Sequence, residues 1–521
     1  MIDPTAMTTM TAVARSNARR CPDKLCNRFE GRDTTFGQFD ANCDRVARGL
    51  DAIGAKVVAY LGKNGDHVYE VYMGTVRNAA VFAPINWRLA PPEVAEIIER
   101  FQPDILFVGP EFHAEVEGIR ARLPEGMAIV AMEGGHPEWP AYEAWRDANP
   151  ADPVEDRASP ESVAMILFTS GTTGLPKGVA LRHSNLLQQR LDTLPELLPY
   201  DHWSEDDVSL VAMPLAHIGG IGWWNLGFIN GCSAVITREF NPFEVLDFIE
   251  KDGVSKLFIV PAALQILVRD PRAASADFSR IKLIAYGAAP MPEALLREAS
   301  ELIQCGFAQC YGLTETTGTI TILRPEEHAL PGRLRSAGRA MPGSEVKIVG
   351  PDGATLAPAE IGEVAIRGGT VMKEYWGNPE ATEKVLIGDG WFLSGDAGYM
   401  DADGFLFIHD RIKDMIVSGG ENVYPAEVEN AIHGHPDVAD VAVIGVPDPR
   451  WGEAVKAIVT PREGRTVDPV SVIGWTRERL AAFKCPKSVD VIEAMPRNAS
   501  GKLLKRELRR PYWEGRARQV N

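Results

Sequence analysis

The chain has 521 residues, 45% of them hydrophobic and 24% charged, which exceeds what one hydrophobic core sustains and leads us to expect two or more globular domains. Its formal charge of −17 disfavours electrostatic binding to nucleic acid or to anionic membranes as a main activity, so an anionic substrate must be met by local basic groups. Seven cysteines scattered without a C-x-x-C pair, and no clustered histidines, argue against a disulfide framework and against structural zinc. Residues 1–25 carry charge and no apolar core of the signal-peptide kind, so no secretory signal is expected and the cytoplasm is the default location.

Helix-like and strand-like segments alternate through residue 160: a helix at Asp40 to Ile53, a strand at Lys56 to Leu61, a helix at Val68 to Asn78 and a strand at Asp104 to Val108. Such alternation predicts a parallel sheet covered by helices. The apolar run Val163 to Phe168 then leads into T-S-G-T-T-G-L-P-K-G, Thr169 to Gly178. Gly171, Gly174 and Gly178 let backbone N–H groups converge on an anion. Thr169, Ser170, Thr172 and Thr173 add hydroxyl donors, and Lys177 adds a point charge suited to phosphate. A plain flexible turn is the alternative, but this composition directly behind a strand-like run favours a phosphate cradle. It is not of the Walker type, because Lys177 sits between Pro176 and Gly178 rather than between glycine and a hydroxyl.

Val211 to Ile236 is apolar enough to resemble a membrane span, but His217, Asn225 and Asn230 interrupt it and Pro214 and five glycines punctuate it, so a buried helix preceded by a loop is expected. Lys256 to Val260 and Ile281 to Tyr286 read as buried strands. The second opens into Gly287-Ala288-Ala289-Pro290, a small-residue turn of the kind that receives ligands at strand ends, or else a simple strand-to-helix connection. After Arg324 the texture shifts to short strands at Ser344 to Val349, Glu363 to Arg367, Trp391 to Gly398 and Gly404 to His409, which predicts a β-rich, barrel-like subdomain. From about Asp414 a further unit follows, with helices at Pro425 to His433 and Val470 to Ala482 and strands at Val438 to Val446 and Ala454 to Thr460. It is long enough to be its own domain.

Four further motifs make the phosphate reading specific. In Y-G-L-T-E-T, Tyr311 to Thr316, a hydroxyl (Thr314) and a carboxylate (Glu315) stand side by side, fit for a phosphate oxygen and for Mg²⁺ bridging the same phosphates. In S-G-D-A-G, Ser394 to Gly398, Asp396 can accept both hydroxyls of a ribose. Arg411 in D-R-I-K-D offers a fork for ribose or phosphate oxygens, ahead of S-G-G-E-N-V-Y-P at Ser418 to Pro425. In P-R-N-A-S-G-K, Pro496 to Lys502, a lysine behind a glycine turn can set one ammonium between a carboxylate and an α-phosphate. Taken singly, each also reads as a surface turn, a helix cap or a solvated ion.

In order and in sequence these five motifs resemble the superfamily of acyl-CoA synthetases, nonribosomal-peptide adenylation domains and luciferases. The resemblance implies an α/β fold, with a large N-terminal domain of helix-covered sheets over residues 1–412 and a smaller mobile α+β domain over 413–521, hinged near Lys413. It also implies activation of a carboxylic acid by ATP to an acyl-adenylate and pyrophosphate, followed by transfer to a thiol, usually coenzyme A. Carried over by motif, Thr169, Ser170, Gly171, Thr172, Thr173 and Lys177 grip the phosphates, Thr314 the α-phosphate and Glu315 the Mg²⁺. Gly287, Ala288, Ala289, Pro290 and Tyr311 sandwich adenine, Asp396 and Arg411 hold ribose, and Lys502 orients the acid. After rotation, the segment with Gly419, Gly420 and Glu421 replaces Lys502 and opens a thiol channel.

M-P-L-A-H-I-G-G, Met213 to Gly220, resembles the family segment whose histidine, here His217, lies near the acyl carboxylate, although Ala216 replaces the usual aromatic residue. Trp223 and Trp224 read as an apolar wall for an acyl or aryl group. No aspartate occurs from Ile218 to Leu246, where amino-acid-adenylating relatives keep one, and the chain ends without S-K-L, which weakens the peptide-synthetase and luciferase readings. Asp448 to Glu453 resembles CoA-ligase versions, with Trp451 on pantetheine and Arg450, Lys484 or Lys487 near the CoA phosphates. A fatty acid is favoured slightly over an aryl acid, a homo-oligomer stays open, and a non-catalytic nucleotide-binding relative is the reading from another class.

Overall fold

The computed structural model describes residue 4 and residues 7–169, 176–196, 198–411, 414–418, 421–497 and 503–514, with the side chains of Pro199, Asp410, Arg411 and Asn422 left aside. Two large sheets carry most of the chain. The first has seven strands in the order Glu374–Tyr375, Lys177–Arg182, Val163–Thr169, Val81–Ile85, Val57–Leu61, Ile105–Val108 and Ala128–Ala131. From Val163–Thr169 to the far edge its ladders are parallel. Strands such as Val57–Leu61, V-V-A-Y-L, are almost uniformly apolar because a parallel sheet is covered on both faces.

The second sheet has nine strands, ordered Arg339–Ala340, Gly318–Leu323, Gly306–Leu313, Leu283–Gly287, Lys256–Ile259, Val208–Val211, Ser233–Ile236, Leu25–Phe29 and Arg32–Thr35. It too is parallel in its interior and antiparallel at its ends. The two sheets interleave in sequence, and the two-residue strand Glu374–Tyr375 returns late in the chain to the edge of the first. The apolar stretch expected to hold a buried helix does so at Ile218–Ile229, with strands Val208–Val211 and Ser233–Ile236 before and after it. No helix among the described residues is long and apolar enough to cross a membrane.

The expected barrel-like region is a five-stranded antiparallel sheet: Ser344–Val349, Gly362–Gly368, Trp391–Met400 and Leu386–Ile387, with Leu406–Arg411 also on Trp391–Met400. Among the described residues its ladders follow an open path rather than a closed ring. The ten-residue Trp391–Met400 serves as the shared spine, pairing with Gly362–Gly368, Leu386–Ile387 and Leu406–Arg411.

Beyond Leu406–Arg411 the strands belong to a fourth sheet: Glu421–Val423, Ile416–Ser418, Gly452–Pro461 and Val438–Asp448, with Ser488–Val491 parallel to Gly452–Pro461. The period of two in Val438–Asp448 sends Val441 and Val443 to one face, against Val428, Ile432 and Val472 of helices Pro425–His433 and Pro469–Arg477. Ala442 and Ile444 go to the other, against Leu508 of helix Lys505–Trp513.

Candidate active site

The glycine-rich loop joins two antiparallel strands. Thr169 is the ladder partner of Lys177 in an antiparallel pair, so the chain after Val163–Thr169 leads to a second strand and not to a helix. That topology is the physical reason for the failed Walker match, since a Walker loop feeds a helix N-terminus. Ser170, Gly171, Thr172 and Thr173 lie outside the described residues. Gly178, expected to help the backbone approach a ligand, has a different task. A Cβ there would stand 2.6 Å from Phe101 Cε1 and 2.7 Å from Ile166 Cγ2, so its small size lets Phe101 pack over the strand.

Lys177 does not stand alone. Its Nζ lies over the Tyr375 ring, 4.6 Å from the centroid, and the Tyr375 hydroxyl donates to Glu315 Oε1 at 2.9 Å. Glu315 sits in the 3-10 turn Thr314–Thr316, where the Thr316 hydroxyl accepts from the Leu313 N–H at 2.9 Å and binds the Gly318 carbonyl at 2.9 Å. The approach requires glycine at 312, because a Cβ would collide with the Gly318 carbonyl oxygen. The Glu315 carbonyl accepts from the Met372 N–H at 2.8 Å, and the Thr317 hydroxyl donates to the Thr370 carbonyl at 2.6 Å. Residues 370–376 thereby lace the Thr314–Glu315 turn to the hairpin that carries Lys177. Sequence reasoning missed Tyr375, which sits in a strand too short to leave a periodic signal.

The adenine and ribose candidates meet nearby. Gly287 ends its strand as the ladder partner of Cys310, next to Tyr311, and a Cβ on it would collide with the Cys310 carbonyl. Ala288 then takes φ +65°, a left-handed conformation uncommon for a residue with a Cβ and one that clusters at ligand sites. Ala288 and Pro290 are exposed and Ala289 half-buried. The Tyr311 hydroxyl donates to Asp396 Oδ2 at 2.7 Å. Asp396 is only 5% exposed and is held by a local frame: its N–H donates to Ser394 Oγ at 3.1 Å, and Ser394 Oγ donates to the Val364 carbonyl at 2.7 Å. The Gly395 N–H donates to Glu363 Oε1 at 2.8 Å. Burial pushes the Glu363 carboxyl above the usual range, with the nearby Asp396 carboxylate adding to the effect. Asp396 is also the ladder partner of Arg411.

His217 stands at the start of helix Ile218–Ile229. Desolvation by burial, helped by Arg88, lowers its pKa to about 4, so it is neutral at ordinary pH and offers a hydrogen bond, not a charge. Its buried Nε2 has no hydrogen-bond partner among the described residues. The preceding loop is clamped from the other sheet by Asn64: its Nδ2 donates to the Met213 carbonyl at 3.1 Å and its Oδ1 accepts from the Leu215 N–H at 2.9 Å. Sequence reasoning missed Asn64 as well; the available signal was a polar residue just past the C-terminal end of strand Val57–Leu61.

The two tryptophans separate. Neighbours on a helix project about 100° apart, and Trp224 points into the core, 1% exposed, stacked on Tyr69 at 4.3 Å and Phe228 at 4.5 Å with its indole N–H donating to Asn27 Oδ1 at 3.0 Å. Its expected place in a substrate wall is therefore corrected to the core. Trp223 packs against Trp203 at 5.3 Å and the half-buried Phe258 at 6.2 Å, and its buried indole N–H has no partner among the described residues.

In the fourth sheet, Ser418 pairs with both Glu421 and Gly452, which sets the exposed Glu421 near the turn of Arg450 and Trp451. Trp451 is 39% exposed, with the Arg450 guanidinium 4.5 Å from its ring centroid. Lys484 is committed elsewhere, bonding both oxygens of Glu427 at 2.7 Å, and Lys487 donates to the Ala482 carbonyl at 3.0 Å. Lys413, Gly419, Gly420 and Lys502 lie outside the described residues; Arg497 and Leu503 form an antiparallel bridge.

Two interleaved α/β sheets, a β-rich third sheet and a small α+β unit, with Lys177 and Glu315 joined through Tyr375 and Tyr311 bonded to Asp396, fit the adenylate-forming class of enzyme. Family comparison agrees. The model of the AMP-binding enzyme family matches residues 14–376, and that of the AMP-binding enzyme C-terminal domain matches residues 427–502. The chain belongs to the AMP-binding enzyme family. It is 40% identical, over 96% of its length and 95% of the relative's, to a fatty acid–[acyl-carrier-protein] ligase of Streptomyces coeruleorubidus. It is 37% identical to an indoleacetate–CoA ligase of Aromatoleum aromaticum, over 94% of this chain and 95% of that one. Among solved structures it resembles ATP-bound MatB from Rhodopseudomonas palustris with a TM-score of 0.87 and 29% identity, over 97% of this chain and 99% of that one.

Proposed function

We propose that the protein is an ATP-dependent acyl-CoA synthetase, which adenylates a carboxylic acid with release of pyrophosphate and then passes the acyl group to the thiol of coenzyme A with release of AMP. The observation that carries this reading is the linked set Lys177, Tyr375 and Glu315, beside the Tyr311–Asp396 pair. In this assignment Thr169, the loop hydroxyls and Lys177 grip the phosphates, Thr314 meets the α-phosphate, the Gly287 to Pro290 turn and Tyr311 flank adenine, and Asp396 with Arg411 takes the ribose.

Glu315 suits Mg²⁺: it is a hard oxygen donor with one oxygen held by Tyr375 and the other accepting no hydrogen bond among the described residues. Mg²⁺ binds through one or two carboxylates plus substrate phosphates, and when bound it supplies neutralisation of the phosphate charge. Carboxylate and ATP repel each other, so Lys502 is assigned to hold the acid's carboxylate against the α-phosphate. A carboxylate oxygen attacks the α-phosphorus, and the bond to pyrophosphate breaks. The thiol must then reach the acyl carbon where Lys502 stood.

Rotation of residues 413–521 about Lys413 meets that demand. The Ser418 to Glu421 turn, with Gly419 and Gly420, enters as Lys502 leaves, and the ladder from Ser418 to Gly452 ties that turn to Trp451, the candidate pantetheine contact. A fatty acid remains the favoured substrate, in line with the name of the Streptomyces relative. An aryl acid is the second reading, favoured by the aromatic set Trp203, Trp223 and Phe258. Seven free cysteines fit a reducing, cytoplasmic setting.

The test is acid-dependent ATP–pyrophosphate exchange over a panel of fatty and aryl acids, followed by thioester detection with CoA and, in parallel, with a phosphopantetheinylated carrier protein. Exchange with one acid class and thioester on CoA is expected. No exchange with any acid sinks the enzymatic reading, and thioester on the carrier alone moves the acceptor from CoA to protein.

A further inference from the structure

We propose that Tyr375 is a positioning residue of the adenylation half-reaction: it holds Glu315 and Lys177 in one fixed relation, so that the metal-binding carboxylate and the phosphate-gripping ammonium meet the nucleotide together. The inference rests on the assignment of Glu315 to Mg²⁺ and of Lys177 to phosphate made above.

Three observations carry it. The Tyr375 hydroxyl donates to Glu315 Oε1 at 2.9 Å, a hydrogen bond to a carboxylate that orients the group and leaves its second oxygen for a cation. The Tyr375 ring receives the Lys177 ammonium at 4.6 Å. Such a contact is worth only about 0.5–1 kcal/mol where water has access, so the ring keeps Lys177 in place yet yields it readily to a phosphate. The backbone makes the relation rigid. Tyr375 pairs with Val179 on the strand that begins at Lys177, the Trp376 N–H donates to the Gly178 carbonyl at 2.7 Å, and the Met372 N–H donates to the carbonyl of Glu315 itself at 2.8 Å. A residue needed only for packing would not require a hydroxyl, and Tyr375 is 6% exposed, so that hydroxyl must be satisfied. A partner is the Glu315 carboxylate, assigned above to the metal of the adenylation step.

The test uses the full-length protein with Tyr375→Phe, Tyr375→Leu and Glu315→Gln. Three quantities are measured: the Mg²⁺ concentration that half-saturates pyrophosphate exchange, the affinity for Mn²⁺ in the presence of ATP by electron paramagnetic resonance, and thioester formation from supplied acyl-adenylate. Loss of one hydrogen bond to a charged group predicts that Tyr375→Phe raises the Mg²⁺ requirement and weakens Mn²⁺ binding about tenfold, while thioester formation stays at the wild-type rate. Tyr375→Leu adds a rise of about threefold in the KM for ATP through loss of the ring. Equal loss of both half-reactions by Tyr375→Phe marks a merely structural residue and overturns the proposal. Wild-type metal dependence in Tyr375→Phe, with Glu315→Gln shifted, overturns it while leaving the Glu315 assignment standing. If Glu315→Gln is unshifted as well, that assignment falls too.

Discussion

The Lys177, Glu315 and Asp396 side chains and the turns of the fourth sheet are held in opposite ways. On the first, hydrogen bonds fix Asp396 to Tyr311, Glu315 to Tyr375 and the His217 loop to Asn64. On the second, Trp451 is 39% exposed and Glu421 stands at an exposed hairpin turn, with Arg450 stacked on Trp451 as its neighbour. On the proposed assignment, the groups that would meet the same nucleotide in every cycle are preorganised, whereas those proposed to serve one half-reaction sit on turns that the proposed rotation would carry in and out.

Lys502→Ala breaks the comparison most directly. It is expected to cut pyrophosphate exchange by about a hundredfold or more while largely sparing thioester formation from supplied acyl-adenylate; equal loss in both assays ends the division of labour. Trp224→Ala and Trp223→Ala sharpen it inside the fixed region. Truncating the fully buried Trp224 should cost about 3–5 kcal/mol in denaturant unfolding. Trp223→Ala should instead change the KM for the acid and the chain-length preference, with a smaller stability loss, and the reverse pattern would return Trp224 to the substrate wall.

Trp451→Ala tests the side proposed to move. A rise of about tenfold in the KM for CoA with unchanged pyrophosphate exchange is expected, and an unchanged KM removes Trp451 from the acceptor site. The smallest effect is on pH. His217 and His183 are both held neutral by burial, with pKa lowered from 6.5 to about 4. The unfolded chain therefore binds more protons between those values, so stability is complete above pH 6.5 and declines as pH falls toward 4. Urea unfolding across that range checks the sign, and His217→Ala should flatten the slope.

Several parts were legible beforehand because their signals are local. The composition of Thr169 to Lys177, the Thr314–Glu315 pair and the glycines flanking Asp396 name the chemistry from neighbouring residues alone. Strands such as Val57–Leu61 and Val438–Asp448 show in their apolar runs or alternation. What escaped was non-local. Tyr375 pairs with residues much earlier in the chain, Asn64 acts on a loop of the other sheet, and Gly178 is explained only by Phe101 packing on it. The open path of the barrel-like region among the described residues was non-local in the same way, since closure depends on which edges meet and not on how each strand reads.

By itself the sequence determined the class of enzyme, because the residue types that characterise it stand together in short motifs. Tertiary structure alone decided how neighbouring side chains divide: Trp223 and Trp224 are adjacent in sequence, yet the turn of one helix sends the first toward Phe258 and seals the second against Tyr69 and Phe228. It also decided what holds Glu315 and Lys177 together, since a tyrosine acquires that role only when the sheet edge brings its hydroxyl and its ring to both.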